Sequence, residues 1–499
     1  MKKSILLLLL FCAFGVMNCQ NSNQPANEEL FRENTYKSFI KAVNTGDSLQ
    51  VKAQIIKYWS DTLIGSDNRW LSTDMNYWLA FNKEFGPLEY VSFGKDTFNS
   101  NQVAWFKGQI TKDWVGLEFD FNELNKITGT NVLRSCTPSD VSISMDSERV
   151  GKEELKTYFE KMEAANLFSG RVLIAKGDDI IYEGTHGYAD KRTKTKITAD
   201  HKMVIASTTK MFTAIAIAQL VQEQKLQLDQ PISFYLDDFP KEIGDKVSTT
   251  HLLTHTSGIE LDELDGFMEE IEQAENVDEF YQINLKYLPQ LDNYHSFITL
   301  ESMDYSNENF DVMGKLIEVI SRQDFYAYLK ENIFQPLGMN NTGPIDRSKS
   351  NSFITNNYQL DRTGKADFDG GYRQAVPHSN LAMSRPAGSF YSTPQDLYLF
   401  MKALNAGELI NEKLKQEFTS KKVDVLQLPI YKAGYGYGFY ANERFGLNNY
   451  GHAGGMPGVS SRCEYYPEYD VYIIVTANYN GSANLAANYI SSVVPFLKE

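Results

Sequence analysis

Met203-Val-Ile-Ala-Ser207-Thr-Thr-Lys210-Met-Phe-Thr-Ala-Ile-Ala-Ile-Ala-Gln-Leu220 is the stretch on which the reading of this chain turns. Beyond Lys210 it is apolar nearly all round, the pattern of a helix buried on every side, and Ser207 opens that helix. Lys210 follows three residues later, one turn on and on the same face, so hydroxyl and amine can meet. A serine hydroxyl is a weak nucleophile until a base removes its proton, and lysine is such a base only when neutral. Burial supplies that condition by disfavouring the ammonium form. The helix N-terminus adds backbone N–H groups and partial positive charge where an oxyanion would form. By itself the tetrad is a weak signal. Ser207 can be a helix cap and Lys210 a surface lysine, and Ser38-Phe-Ile-Lys41 has the same spacing by chance.

Two further elements can complete a site. Tyr305-Ser306-Asn307 precedes a helical pattern from Phe310 to Ser321. A phenol near Lys210 can relay protons, its own pKa lowered by the neighbouring positive charge, and the Asn307 amide can fix Lys210 and a substrate carbonyl together. His452-Ala453-Gly454-Gly455 lies between a predicted strand and Pro457-Gly458. Glycines there let backbone approach a substrate, with the Gly455 N–H as a second oxyanion donor, although a plain turn satisfies the same residues.

Ser-x-x-Lys, Tyr-x-Asn and a Lys/His-x-Gly strand, in that order, resemble the serine β-lactamase and penicillin-binding-protein superfamily, and its class C-like branch in particular. Phe168-Ser-Gly-Arg-Val-Leu-Ile-Ala175, Gly187-Tyr-Ala-Asp190, His251-Leu-Leu-Thr-His-Thr-Ser-Gly258, Pro336-Leu-Gly-Met339 and Gly388-Ser-Phe-Tyr-Ser-Thr-Pro-Gln-Asp396 extend the likeness from about Lys152 to Glu499. The resemblance implies Ser207 as acylated nucleophile, Lys210 as its activating partner and Tyr305 as general acid/base. It implies Asn307, His452, Gly454 and Gly455 as substrate-binding residues, with His452 lining the wall across from Ser207. A lysine usual in β-lactamases is His452 here, and the usual Thr or Ser is Ala453. Those departures weaken the grip on a β-lactam carboxylate and suit esterase and D-peptidase members. The expected activity is therefore a serine hydrolase acting on a small ester or a D-amino-acid-containing peptide, without cofactor or metal. The rivals are a penicillin-binding or sensing protein that acylates without turnover, and a true β-lactamase.

The fold class expected is α+β. A β-lactamase/transpeptidase-like domain, with an antiparallel sheet flanked by helices plus a mainly helical region, would span 151–499. Its sheet draws on both ends of that segment. Gly170 to Ala175 and Ile180 to Glu183 read as a hairpin, while Gly436 to Tyr440, Val459 to Tyr466 and Val471 to Thr476 read as late strands. A small α+β domain is expected over 28–137, with helices Leu30 to Ala42 and Ser48 to Trp59. Its strands would be Leu88 to Phe93, Gln102 to Ile110, Trp114 to Phe121 and Ile127 to Arg134. That order resembles cystatin-like or NTF2-like modules. Residues 138–150, rich in Ser with Thr137-Pro138 before them, read as a linker.

Lys2 and Lys3 before the apolar run Ile5 to Met17 make 1–19 a secretory leader. Cys19 stands where lipoprotein signals place the lipidated cysteine, and 20–27 is a polar tether. The expected location is outside the cytoplasm, periplasmic or outer-membrane-anchored, with the membrane reached only through that lipid. A net charge of -16 without a basic stripe argues against nucleic acid as a partner. Cys12, Cys19, Cys136 and Cys463 form no CxxC pair, and Cys136 and Cys463 read as thiols rather than a disulfide. His251 and His255 sit four apart without a metal-site glutamate. Gly434-x-Gly436-x-Gly438 lacks the context of a nucleotide loop and reads as a flexible strand. His186, His201, His295 and His378 show no acidic partner in sequence. Oligomeric state is not legible.

Overall fold

The computed structural model describes residues 26–65, 68, 70–95, 102–134, 150–291, 303–345, 353–376, 384–427 and 431–498. The leader, Cys19, Cys136, His295 and His378 lie outside the described residues, as do nearly all of the tether and linker. Two compact units are separable. One holds the described residues up to 134 with Ala164–Leu167 and Gln359–Gln374, and the other holds the remainder.

In the first unit, helices α1 (Ala26–Thr45), α2 (Ser48–Tyr58), α3 (Asp61–Ile64) and α4 (Leu71–Phe85) precede four strands. The strands β1 (Leu88–Lys95), β2 (Gln102–Gly108), β3 (Trp114–Phe121) and β4 (Ile127–Arg134) form an antiparallel sheet in chain order. Its core is aromatic: Tyr36 stacks on Phe119 at 4.3 Å, and Phe39 meets Trp78 edge-on at 4.8 Å. Helix α4 is absent from the sequence reading, because Ser72, Thr73, Asp74 and Asn76 favour turns over helix. Burial of Trp78, Leu79, Ala80 and Phe81 overrides that local preference. Ser38 belongs to α1 and donates to the Thr35 carbonyl, while Lys41 is exposed, so the second Ser-x-x-Lys has no buried amine. Gln359–Gln374 enters this unit from far along the chain, with Asn76 Nδ2 donating to the Thr363 carbonyl at 2.8 Å. A concavity of about 210 Å³ is lined by α1 and sheet residues including Arg32, Tyr36 and Glu118, and holds none of the motif residues.

The second unit is built on an eight-stranded antiparallel sheet. After α5 (Lys152–Ala164) come β5 (Gly170–Lys176) and β6 (Asp179–His186), and then the helical middle begins with α6 (Lys210–Gln222). Within that middle lie α7 (Thr249–Thr254), α8 (Glu308–Ser321) and α9 (Pro394–Ala406). The remaining strands are β7 (Val423–Gln427), β8 (Tyr431–Tyr435), β9 (Tyr440–Arg444), β10 (Leu447–Met456), β11 (Val459–Tyr466) and β12 (Val471–Ala477), and α10 (Ser482–Val493) follows. The spatial order is β7-β8-β9-β10-β11-β12-β5-β6, so distant segments meet at β12 and β5. All seven residues of β12 are buried because helices cover both faces: Tyr472 and Ile474 join the core of α6 and α9, while α10 packs on the same strands.

One expectation about this sheet is corrected. Gly436 to Tyr440 is no strand: Gly436–Phe439 turns the chain from β8 to β9, with Gly438 at φ +78°. A side chain at Gly438 would meet Ala214 Cβ at 2.4 Å, so the glycine admits α6 rather than loosening a strand. His452-Ala453-Gly454-Gly455 lies on a strand, as the Lys/His-x-Gly resemblance implies, and not in the alternative plain turn: it is part of β10, paired with Cys463 to Ser460 of β11. Strand β9 pairs β10 only as far as Gly451, so that among the described residues no strand pairs with the far half of β10 on that side. His186, given no acidic partner by sequence, faces Glu163 at 3.1 Å.

Gly454 sets the distance between sheet and α6. A Cβ there would lie 2.0 Å from the Ile205 carbonyl oxygen, whereas one at Gly455 would meet open space. Gly454→Ala is therefore expected to lower stability by about 1–3 kcal/mol in urea unfolding. Gly455→Ala, measured beside it, should leave the midpoint unchanged.

Candidate active site

Ser207 lies on a single 3-10 turn, Ala206–Thr209, which runs directly into α6 at Lys210. The expectation that Ser207 opens the α-helix is thus off by one turn. The reason is Ala206, whose φ of +45° reverses the chain just ahead of the serine. Such a conformation costs a non-glycine residue roughly 1–3 kcal/mol and persists only where its surroundings enforce it. Here they do. The Ala206 carbonyl accepts from Thr209 Oγ1 at 2.8 Å and from the Ser389 N–H at 3.3 Å. The Ile205 N–H donates to the Phe390 carbonyl at 2.9 Å, and Ser461 Oγ on β11 donates to the Ile205 carbonyl at 2.7 Å. Ser461 also meets Thr208 Oγ1 at 2.8 Å, so the sheet grips the turn on either side of Ser207. Ser207 itself stays partly accessible while Ala206, Thr208, Thr209 and Lys210 are buried.

Lys210 has no exposed surface. Its Nζ donates to Ser207 Oγ at 3.2 Å, to Asn307 Oδ1 at 2.8 Å and to the Ala387 carbonyl at 2.6 Å. The nitrogen also lies 4.9 Å from the Tyr305 ring centre and 5.3 Å from that of Phe310. Burial, reinforced by the positive charge of Arg385, brings the Lys210 pKa down to about 7. A large share of Lys210 is thereby neutral near pH 7, with a lone pair facing the Ser207 hydroxyl.

Tyr305 hydrogen-bonds Ser207, and its phenol pKa stands well above 10, chiefly through desolvation and then through the neighbouring Tyr440. This reverses the expected lowering by Lys210. Loss of water dominates, and the hydrogen bond with Ser207 offsets only part of it. Tyr305 is therefore a phenol, a proton donor, at neutral pH.

Behind Tyr305 lies a hydrogen-bond chain whose protons can all be assigned. The Ser306 N–H donates to His255 Nδ1 at 3.1 Å, so His255 carries its proton on Nε2, 3.3 Å from the Tyr435 hydroxyl. His452 Nδ1 is 2.6 Å from the Ala453 carbonyl and must donate to it. His452 Nε2 then accepts from Tyr435, at 2.9 Å. Burial, aided by Lys210, holds His255 well below the usual histidine range and brings His452 down to about 3, so both rings are neutral. His255 also stacks on Tyr305 with ring centres 4.2 Å apart. The His452 ring, expected to line the wall across from Ser207, is 1% exposed and faces the interior with both nitrogens engaged. Its backbone strand, with Gly455 exposed, carries that wall instead.

The structure thus brings Ser207, Lys210, Tyr305 and Asn307 together and sets Gly454 against the Ser207 turn. His251 caps α7 through the Ser248 N–H at 3.0 Å, so it and His255 serve different partners. Cys463 is a buried free thiol. Sequence reasoning missed Tyr435 and the Ala387 carbonyl as site elements, and took His255 only as a landmark. Tyr435 stands in the glycine run that reads as a flexible strand, with no chemistry attached to it. A backbone acceptor such as Ala387 leaves no residue-type signal.

The profile of the family described as Beta-lactamase matches residues 156–492. The teichoic acid D-alanine hydrolase of Staphylococcus aureus (strain NCTC 8325 / PS 47) is 24% identical over 70% of this chain and 82% of its own length. The crystal structure of a penicillin binding protein from Bacillus halodurans superposes with a TM-score of 0.58 at 27% identity, covering 68% of this chain and 99% of that one. D-amino acid amidase from Ochrobactrum anthropi SV3 shares the fold, with a TM-score of 0.56 at 22% identity over 69% of this chain and 98% of that one. The family match spans well over half of the chain and contains every residue of the assembled cleft; the protein belongs to the Beta-lactamase family and is a serine hydrolase.

Proposed function

We propose that Ser207 forms an acyl-enzyme with a small ester or a D-amino-acid-containing peptide, and that Lys210 is its base. The observation that carries this reading is the fully buried Lys210 nitrogen, 3.2 Å from the serine oxygen, where desolvation brings its pKa down to about 7. Neutral Lys210 takes the Ser207 proton as Oγ bonds to the substrate carbonyl carbon. The oxyanion is met by the Ser207 and Gly455 N–H groups. As the bond to the leaving group breaks, the Tyr305 phenol supplies its proton and is recharged from the Lys210 ammonium. Water then attacks the acyl carbon and gives a proton to neutral Lys210, which passes it to Ser207 Oγ as the acyl–oxygen bond breaks, restoring the free serine.

Substrate preference follows from the opposite wall. With His452 neutral and committed to Tyr435, that position offers no cation to a substrate carboxylate. This favours esters and D-aminoacyl compounds over β-lactams, and the similarity to a teichoic acid D-alanine hydrolase supports the same class. For location, the leader supports export and a lipid on Cys19.

Fluorophosphonate labelling followed by mass spectrometry should mark Ser207, and Ser207→Ala should abolish both label and turnover. A folded sample without label there would remove the proposal, and a single burst without steady release would replace it with a sensor. Lys210 is the base in its neutral form, so the acylation rate should climb about tenfold per pH unit below its pKa and level off above about 7. Tyr305→Phe should slow hydrolysis of a D-amino acid amide by about 10²–10⁴. A p-nitrophenyl ester, whose leaving group needs no proton, should be affected far less. Cells fed an alkyne fatty acid should label the intact protein and not Cys19→Ala; equal labelling of both would exclude Cys19 as the anchor.

A further inference from the structure

The oxygens that hold Lys210 belong to two segments joined by a buried ion cluster. Asn307, which accepts from Lys210 Nζ at 2.8 Å, is followed by Glu308. Ala387, whose carbonyl accepts at 2.6 Å, comes two residues after Arg385. The Arg385 guanidinium spans the gap. Its Nε donates to Asp311 Oδ1 at 3.0 Å, and one terminal nitrogen lies 3.1 Å from Glu308 Oε1 and 2.5 Å from Asp311 Oδ2. The three side chains are 8%, 1% and 0% exposed, respectively, for Arg385, Glu308 and Asp311. Arg385 and Gly388 exchange backbone hydrogen bonds of 2.9 Å in both directions, closing the turn that presents the Ala387 carbonyl. Glu308 Oε2 also accepts from Ser306 Oγ at 3.0 Å, which ties the cluster to the Tyr-x-Asn segment.

We propose that Arg385, through its ion pairs with Glu308 and Asp311, is a positioning residue that seats Lys210 beneath Ser207 and keeps it available as a base. This rests on the reading of Ser207 and Lys210 given above. The fork shape of a guanidinium lets one side chain hold two carboxylates in fixed geometry, which lysine cannot reproduce. The charges also act on Lys210 directly and with opposite signs. Arg385 disfavours the ammonium form, while Asp311, Glu308 and Asp262 favour it. Asp262 and Asp311 are themselves held up, to about 7 and about 6, so Asp262 contributes only part of a charge near neutrality. The other groups facing Lys210 are Tyr305, protonated, and the neutral rings of His255 and His452, which add little to this balance.

The test is the pH profile of Ser207 phosphonylation by a fluorophosphonate, in which Oγ bonds to phosphorus and fluoride leaves, measured on the full chain. Arg385→Gln should move the midpoint to higher pH by roughly one unit, losing about fivefold in rate near pH 7 and recovering it at alkaline pH. Asp311→Asn should move the midpoint the other way. Arg385→Lys keeps the charge and loses the fork, so its midpoint should stay near wild type while its plateau falls; it serves if Arg385→Gln does not fold. The proposal would be overturned by a folded Arg385→Gln that loses the same factor at every pH, by Arg385→Gln and Asp311→Asn midpoints that shift in the same direction, or by an Arg385→Lys whose plateau equals wild type. Failure of the underlying reading looks different: wild type would then label elsewhere, or Ser207→Ala would label as well as wild type.

Discussion

The chemistry of this protein depends on an ammonium group taken out of water. Lys210 is seated in a helix that is buried on all sides, and the desolvation of its charge is what makes an ordinary lysine a base near neutral pH. Two oxygens, from Asn307 and Ala387, keep the group hydrogen-bonded without supplying a carboxylate, which would restore its charge. Two of the carboxylates nearby, Glu308 and Asp311, are paired with Arg385. Burial, neutral acceptors and a cation held one layer away all act in the same direction.

The rest of the second unit can be understood as what that arrangement requires. A reversed backbone at Ala206 brings Ser207 to the surface while Lys210 stays inside, and Gly454 with Ser461 presses the sheet against the turn that bears the strain. Strand β10 keeps a half-open edge beside it, so the same sheet that anchors the turn offers backbone to a substrate. The His255–Tyr435–His452 chain fills the space behind Tyr305 with neutral, mutually satisfied groups. Any charged ring there would oppose a positive Lys210 and would itself lack compensation in a desolvated site.

Neutrality also explains how one cleft separates a base from an acid. Desolvation disfavours the ionised form of each group, and it therefore strips the proton from lysine while fixing it on tyrosine. The two side chains flanking Ser207 are thereby set as acceptor and donor chiefly by one physical cause, which the Arg385 charge reinforces at Lys210. A sequence argument that counted only the Lys210 charge assigned Tyr305 the opposite shift.

What the sequence determined by itself is the identity and order of the groups: Ser207 and Lys210 one turn apart, the Tyr305–Asn307 pair, the glycines of β10, and the apolar helix that ensures burial. These are local patterns, and spacing along one helix or strand fixes which side chains share a face. The strands Trp114–Phe121, Ile127–Arg134 and Val459–Tyr466 were legible for the same reason. Tertiary structure decided the remainder. That His452 turns inward, that Tyr435 joins two histidines almost two hundred positions apart in sequence, and that Arg385 reaches Glu308 and Asp311 are outcomes of how distant segments pack. So is α4, whose polar start hides a buried aromatic face. Burial and long-range pairing are collective properties of the folded chain, and no short window of residues contains them.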